Sequence, residues 1–252
     1  MKKLFILYLI ILFLISCSNN ITKQPGETDP LKFFFNLCVS DIGKAKKVIL
    51  DNDLVKNLSH LQNMDRGGKK YYLLERESIT KMLKSVTEGL YSDYILINQT
   101  GFVIYSMVKD EFFGKSVKSS LKNSALGKCH INHELEYYIE DSYLTSERDA
   151  EKFFYLSSAV QGGNSNPGVI ILEIDPQKIL ELTGVKSRIL NLKGEIIISE
   201  NNNEIGKPFN HIELLNLNPV YNKIFSFKAD KIRYRYKFFK YLNIEWIILN
   251  EL

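Results

Sequence analysis

Apolar residues fill the first part of the chain without a break and are then spread along it with two different periods. After Met1-Lys2-Lys3, every residue from Leu4 to Ile15 is apolar. That run falls short of the roughly 20 residues a bilayer-crossing helix needs. A basic start and a compact apolar centre fit a secretory signal instead. The stretch from Ser18 to Pro30 (SNNITKQPGETDP) is largely polar. It predicts a flexible tether reaching roughly 45 Å at about 3.5 Å per residue.

From Leu31 to Met64 the apolar positions Phe34, Leu37, Cys38, Ile42, Ala45, Val48 and Ile49 recur every three or four residues. Charged residues fill the gaps, which predicts one long or slightly broken amphipathic helix. Asp65 to Lys70 (DRGGKK) interrupts it, and a second helix is expected from about Arg76 to Leu90. The period then shortens. Tyr94–Ile97 and Phe102–Tyr105 are short β-branched and aromatic runs flanking Asn98-Gln-Thr-Gly101, a hairpin signal. Further strands are expected at 153–160 and 169–174. Lys231-Ile-Arg-Tyr-Arg-Tyr-Lys237 alternates charge with aromatic at strand period, as an amphipathic strand with one solvated face does.

Two of these segments repeat. RILNLKGEIIIS near Asn191 matches ILINQTGFVIYS near Asn98, with the Asn-x-x-Gly turn and the following serine at the same spacings. Both copies then reach Gly-Lys, at Gly114-Lys115 and Gly206-Lys207. The offset of 93 residues is too long for a solenoid and suits two small α+β modules in tandem.

Composition narrows the partners. The formal charge of +4 includes Lys2 and Lys3, so the chain after the signal is near +2. That balance favours neither nucleic acid nor a strongly acidic partner. The about 235 residues after the signal suffice for one large core or two small ones. Besides Cys17, only Cys38 and Cys129 are present; one disulfide or two buried thiols are both compatible with the spacing. Cys129-His130-x-x-His133 offers at most three metal ligands and no obvious fourth, so no metal site is expected. Gly114-Lys115-Ser116 lacks the earlier glycine of a phosphate loop, since Lys109 stands in its place, and the repeat carries Pro208 where the serine would be. No nucleophile elbow, zinc-protease run or dinucleotide fingerprint occurs, and no enzyme activity or cofactor is expected.

Leu14-Ile15-Ser16-Cys17 resembles the lipobox of bacterial lipoproteins. The resemblance implies cleavage before Cys17, a diacylglyceryl group on its thiol and acylation of the new amine, so that several acyl chains hold the chain to membrane lipid. It places the protein outside the cytoplasm, at the outer membrane or cell surface rather than the inner membrane. The segments YILINQTGFVIYS…FFGK and GVIILEIDPQKILEL, with the long leading helix, resemble an extracytoplasmic Cache domain, a PAS-like sensor module. The second glycine hairpin and KIRYRYKFFKYLNIEWIIL look like the smaller module of its double form. The implied fold is α+β: a long N-terminal helix followed by two tandem modules with antiparallel sheets. The expected organisation is a signal peptide at 1–16, a tether at 17–30, leading helices at 31–90, a distal module at 91–182 and a proximal module at 183–252.

In that family the ligand sits in the distal module, under covering loops. The matching residues are Tyr137, Tyr138, Tyr143, Arg148 and Tyr155, an aromatic wall with one cation, and Glu173, near the family's acidic contact and suited to a ligand amine. Two departures bear on this. The Arg-x-Trp-Tyr signature of the amine- and amino-acid-binding subgroup is missing, and the sequence does not continue into the transmembrane helix and output domain usual in the family. The expected function is therefore a lipid-anchored sensory module that binds a small ligand or partners a membrane sensor. The alternative is a surface lipoprotein using the fold for protein–protein interaction or envelope maintenance.

Overall fold

Helix α1 (Pro30–Asp51) opens the described part of the chain. Asp29 caps it by accepting the Leu31 N–H at 3.1 Å, and Pro30 fits the first turn because no helical partner is needed there. The computed structural model describes residues 29–64, 67–87, 89–140, 153–162, 167–183 and 187–252. The buried apolar stripe of α1 is Leu31, Phe34, Phe35, Cys38, Ile42, Ala45 and Ile49; of the positions the spacing singles out, Leu37 and Val48 are only half-buried. Of the two forms expected up to Met64 the structure has the broken one: the chain divides at Asp53, whose φ of 48° is left-handed, before α2 (Leu54–Gln62). Helix α3 (Gly68–Val86) starts ahead of the expected Arg76. Its early turn is held from outside, where Tyr72 stacks on Phe113 at 4.1 Å and donates to the Ser106 carbonyl at 2.8 Å.

The strands form two five-stranded antiparallel sheets with the same order. The first contains β1 (Tyr91–Asn98), β2 (Val103–Ser106), β3 (Tyr138–Glu140), β4 (Phe154–Val160) and β5 (Gly168–Ile174), arranged β2-β1-β5-β4-β3. Helix α4 (Ala125–Ile131) lies between β2 and β3 in sequence, and α5 (Pro176–Thr183) leads out of β5. The second sheet contains β6 (Ser187–Asn191), β7 (Ile196–Ile198), β8 (Ile224–Ala229), β9 (Ile232–Tyr241) and β10 (Ile244–Glu251), arranged β7-β6-β10-β9-β8. This is the expected α+β architecture, a long leading helix followed by two antiparallel sheets.

The repeat is reproduced bond by bond. In the first copy Gly101 N–H donates to Asn98 O, Val103 N–H to Lys115 O and Gly114 N–H to Val103 O. The second copy has Gly194 to Asn191, Ile196 to Lys207 and Gly206 to Ile196. The Gly-Lys steps are thus where the chain returns to pair with the hairpin, not phosphate loops. Ser116 bridges to Phe102, and Pro208 bridges to Glu195.

The first sheet has two covered faces. Helices α1, α2 and α3 bury one face of the first sheet through Tyr94, Leu96, Leu156, Ile170 and Leu172. Helix α4 covers the other through Ala125, Leu126 and Cys129, packed on Ile95, Ile97, Val169 and Ile171. Trp246, fully buried, joins the parts: its ring meets Phe35 of α1, Phe154 of the first sheet and Phe239 of the second. Cys38 and Cys129 are free thiols on opposite faces of the first sheet, so the two-thiol alternative holds.

Candidate functional site

Strand alternation gathers polar side chains on the α4 face of the first sheet, at the end away from the glycine hairpin. Direct cross-strand neighbours share a face. Glu140 pairs with Tyr155, Tyr155 with Glu173, and Glu173 with Asp93. Four adjacent strands therefore present one transverse row: Glu140, Tyr155, Glu173 and Asp93. All four are buried, with Asp93 and Tyr155 at 0% exposure and Glu173 at 2%.

Buried carboxylates need donors or cations. Asp93 accepts from Ser106 Oγ at 2.6 Å and from the Met107 N–H at 2.7 Å. Glu173 is ion-paired with Lys109, which arrives from the loop after β2. The Lys109 ammonium also lies 5.0 Å from the Phe153 ring centroid and 5.9 Å from that of Phe112, within cation–π range. Glu140 accepts from Tyr138 Oη at 2.6 Å and from Lys128 Nζ at 3.0 Å. Burial raises the pKa of both Asp93 and Glu173, and the Lys109 charge works against that rise. The Tyr155 hydroxyl lies beside Glu173 and has no hydrogen-bond partner of normal geometry among the described residues. Burial, then the neighbouring carboxylate, pushes its ionisation far upward.

Three of the residues singled out by sequence, Tyr138, Tyr155 and Glu173, meet on this face. Tyr137 does not; it packs on the opposite, helical side of the sheet, as alternation with Tyr138 requires. Tyr143 and Arg148 lie outside the described residues. Sequence reasoning missed Asp93 and Lys109. Asp93 sits at the head of a strand whose apolar part attracted attention, and Lys109 is joined to Glu173 across 64 residues. The Cys129-His130-x-x-His133 side chains have separate partners: Cys129 bonds Ser157, His130 bonds the Asn98 backbone, and His133 Nδ1 lies 2.6 Å from the His130 carbonyl. Among the described residues no group of three or more His, Cys, Asp or Glu could hold a metal ion.

The second sheet carries a counterpart. Glu251 pairs with Tyr234 across β10 and β9 as Glu173 pairs with Tyr155. There the cation is Arg188 of β6, which bonds Glu204 at 2.8 and 3.1 Å and also reaches Glu251. A cavity of about 450 Å³ opens beside it, next to Lys207, His211 and Asp230. A larger groove of about 770 Å³ lies between α2 and α3, lined by Leu58, Ile79 and Met82. It is on the helical side of the first sheet, away from the carboxylate row.

No protein-family model matches the sequence, and no curated protein matches it. Solved structures do. An extracellular ligand-binding receptor from Desulfohalobium retbaense superposes with a TM-score of 0.53 at 12% identity, over 87% of this chain. This chain spans only 39% of that receptor. The ligand-binding domain of the Pseudomonas aeruginosa amino-acid chemoreceptor PctC, solved with GABA, gives 0.50 at 12% identity over 89% of this chain and 100% of that one. The extracellular domain of vpHK1S-Z8, described as a histidine kinase, gives 0.50 at 8% identity over 89% and 92%. The fold is that of Cache-like sensor domains. Among the described residues, no helix is long and apolar enough to cross a membrane.

Proposed function

We propose that this chain is a lipid-anchored, extracytoplasmic sensory module that binds a small amine-bearing ligand on the α4 face of its first sheet. The observation that carries the reading is the charge imbalance there. Asp93 and Glu173, both buried, lie beside the ammonium of Lys109, which is ion-paired with Glu173, and the adjacent Tyr155 hydroxyl has only Glu173 beside it, with no bond of normal geometry. A second ammonium would complete the neutralisation and donate to Tyr155 and Glu173 at once. Lys109 shows how such a group is held, by a carboxylate below and aromatic rings beside it. The similar chemoreceptor domain was solved with GABA, itself an amine. The lipobox-like run ending at Cys17 supports the anchor and an extracytoplasmic place, at the outer membrane or cell surface. Ligand binding would then be passed on by contact with a membrane sensor or envelope protein.

Thermal unfolding with amino acids, linear amines and amine-free carboxylates tests the ligand class. At about 100-fold excess over Kd an amine-bearing ligand should raise the midpoint by roughly 5–10 °C. Glu173→Gln should abolish the shift. Equal shifts with amine-free carboxylates, or an undiminished shift in Glu173→Gln, would overturn the reading. Cys17→Ser should move the protein from the membrane to the soluble fraction; continued membrane attachment would overturn the anchor.

A further inference from the structure

Strand β9 carries its charges on one face. Arg233, Arg235 and Lys237 alternate with the buried Tyr234, Tyr236 and Phe238. The neighbouring strand β8 sets Lys228 opposite Arg233 and Ser226 opposite Arg235. These residues lie on the same side of the second sheet as Phe239 and Trp246, because residues two apart along a strand share a face. The side is therefore divided. Its Phe239–Trp246 end is covered by Phe35 of α1. The other end, with Lys228, Arg233 and Arg235, is exposed. None of these three cations meets an acidic side chain among the described residues.

The boundary between the covered and open parts is where the N-terminal segment joins the fold. Asp29, the capping residue of α1, is ion-paired with Lys237, next along the face from Arg235. The chain running from Cys17 thus arrives on the basic face itself, within twelve residues of the proposed lipid. An extended chain of that length reaches no more than about 40 Å.

We propose that the open end of this sheet face docks on an anionic lipid bilayer, the surface in which the Cys17 acyl chains would be embedded. The proposal rests on the lipid-anchored reading above. Three unpaired cations on an exposed face complement a surface of anionic headgroups, and a short tether holds that face within reach. Docking fixes the orientation of the module: the second sheet lies against the lipid. Exposed Ile224 of β8, opposite Lys237 and so on the same face, adds an apolar contact there.

The test uses the chain from Ser18 onward, which keeps every described residue and carries neither the signal nor lipid. It is spun down with vesicles of phosphatidylcholine containing 30% phosphatidylglycerol, or of phosphatidylcholine alone. Binding is expected only to the anionic vesicles and should disappear at high salt. Each removed cation should weaken it roughly five-fold, and the Lys228→Glu/Arg233→Glu/Arg235→Glu variant by at least about a hundred-fold. A control with the same net charge, Lys56→Glu/Lys69→Glu/Lys70→Glu on the helices, should bind as the parent does. Equal binding to both vesicles, no binding to either, or equal loss in the control would overturn the proposal. Because the probe lacks lipid, failure here leaves the anchor untouched; that is decided separately, by the mass of the processed N-terminus.

Discussion

The amide of Asn243 is bonded at both ends to the backbone of Ile139, Nδ2 donating to the Ile139 carbonyl at 2.7 Å and Oδ1 accepting the Ile139 N–H at 2.8 Å. Asn243 sits in the turn between β9 and β10 of the second sheet, and Ile139 is the middle residue of β3, an edge strand of the first. The side chain acts as one rung of a ladder between two sheets that share no strand. With the Phe154–Trp246 contact at 5.2 Å, it ties the first sheet to the second.

Asn243→Ala should therefore cost about 2 kcal/mol, since it removes two bonds and leaves the Ile139 groups without their partner. Urea unfolding followed separately by Trp246 fluorescence and by circular dichroism checks this. The parent should show coincident transitions, and the variant should show a lower midpoint with the two probes drawn apart. Coincident, unshifted curves would show that Asn243 does not couple the sheets.

Much of this architecture is legible from local pattern, and the exceptions share a cause. The stripe of α1, both glycine hairpins and strands β4, β5 and β9 follow from spacing alone, because burial of one face imposes a period on the sequence. Strand β3 has three residues, too few to show a period, and the early turn of α3 is fixed by Phe113 from another element. The site divides the same way. Glu173 and Tyr155 could be singled out individually, but their row with Asp93 exists only through strand register. Lys109 belongs to it through a loop whose path no local pattern records.

Lys109→Met should make stability strongly dependent on pH. Burial holds Asp93 and Glu173 above their ordinary carboxylate range, so the folded chain keeps protons that the unfolded chain has released. Stability from that source is fully present below about pH 4 and is lost as pH rises through the folded pKa values. Lys109 opposes the shift in the parent. Without it, the loss relative to the parent should grow from pH 5 to pH 8, reaching about 3 kcal/mol. Urea midpoints at the two pH values measure this, and Lys109→Met/Glu173→Gln should recover part of the loss. A loss independent of pH would mean that Lys109 contributes packing alone.

Cys38 and Cys129 should resist thiol reagents until the protein unfolds. Both are fully buried, and burial pushes the Cys38 thiol up to about 12 and the Cys129 thiol upward as well. The nucleophilic thiolate is then scarce at neutral pH. Ellman's reagent should titrate neither in the native chain and both in guanidinium. The unfolded chain should give the same result without reductant, because the first sheet separates the two thiols. Fewer than two reactive thiols in the unreduced, unfolded chain would indicate a bridge.

The repeated hairpins should differ in their tolerance of alanine. Gly101 and Gly194 occupy matching positions with φ of 91° and 79°, so either substitution carries the backbone cost of a left-handed residue, about 1 kcal/mol. The surroundings separate them. A Cβ on Gly101 would approach the flexible Lys118 side chain, 2.9 Å from its Cε, which can swing into solvent. On Gly194 it would stand 2.2 Å from Ile212 Cδ1 and 2.6 Å from Cγ1. Relieving that overlap must displace the turn carrying Ile212, whose N–H bonds the Phe209 carbonyl. Gly194→Ala should thus cost about 3 kcal/mol against about 1 for Gly101→Ala, because overpacking adds about 1–3 kcal/mol to the backbone strain. Gly194→Ala/Ile212→Ala should recover much of the difference in denaturant midpoint. Equal costs for the two single variants would show that backbone strain alone sets the requirement for glycine at both turns.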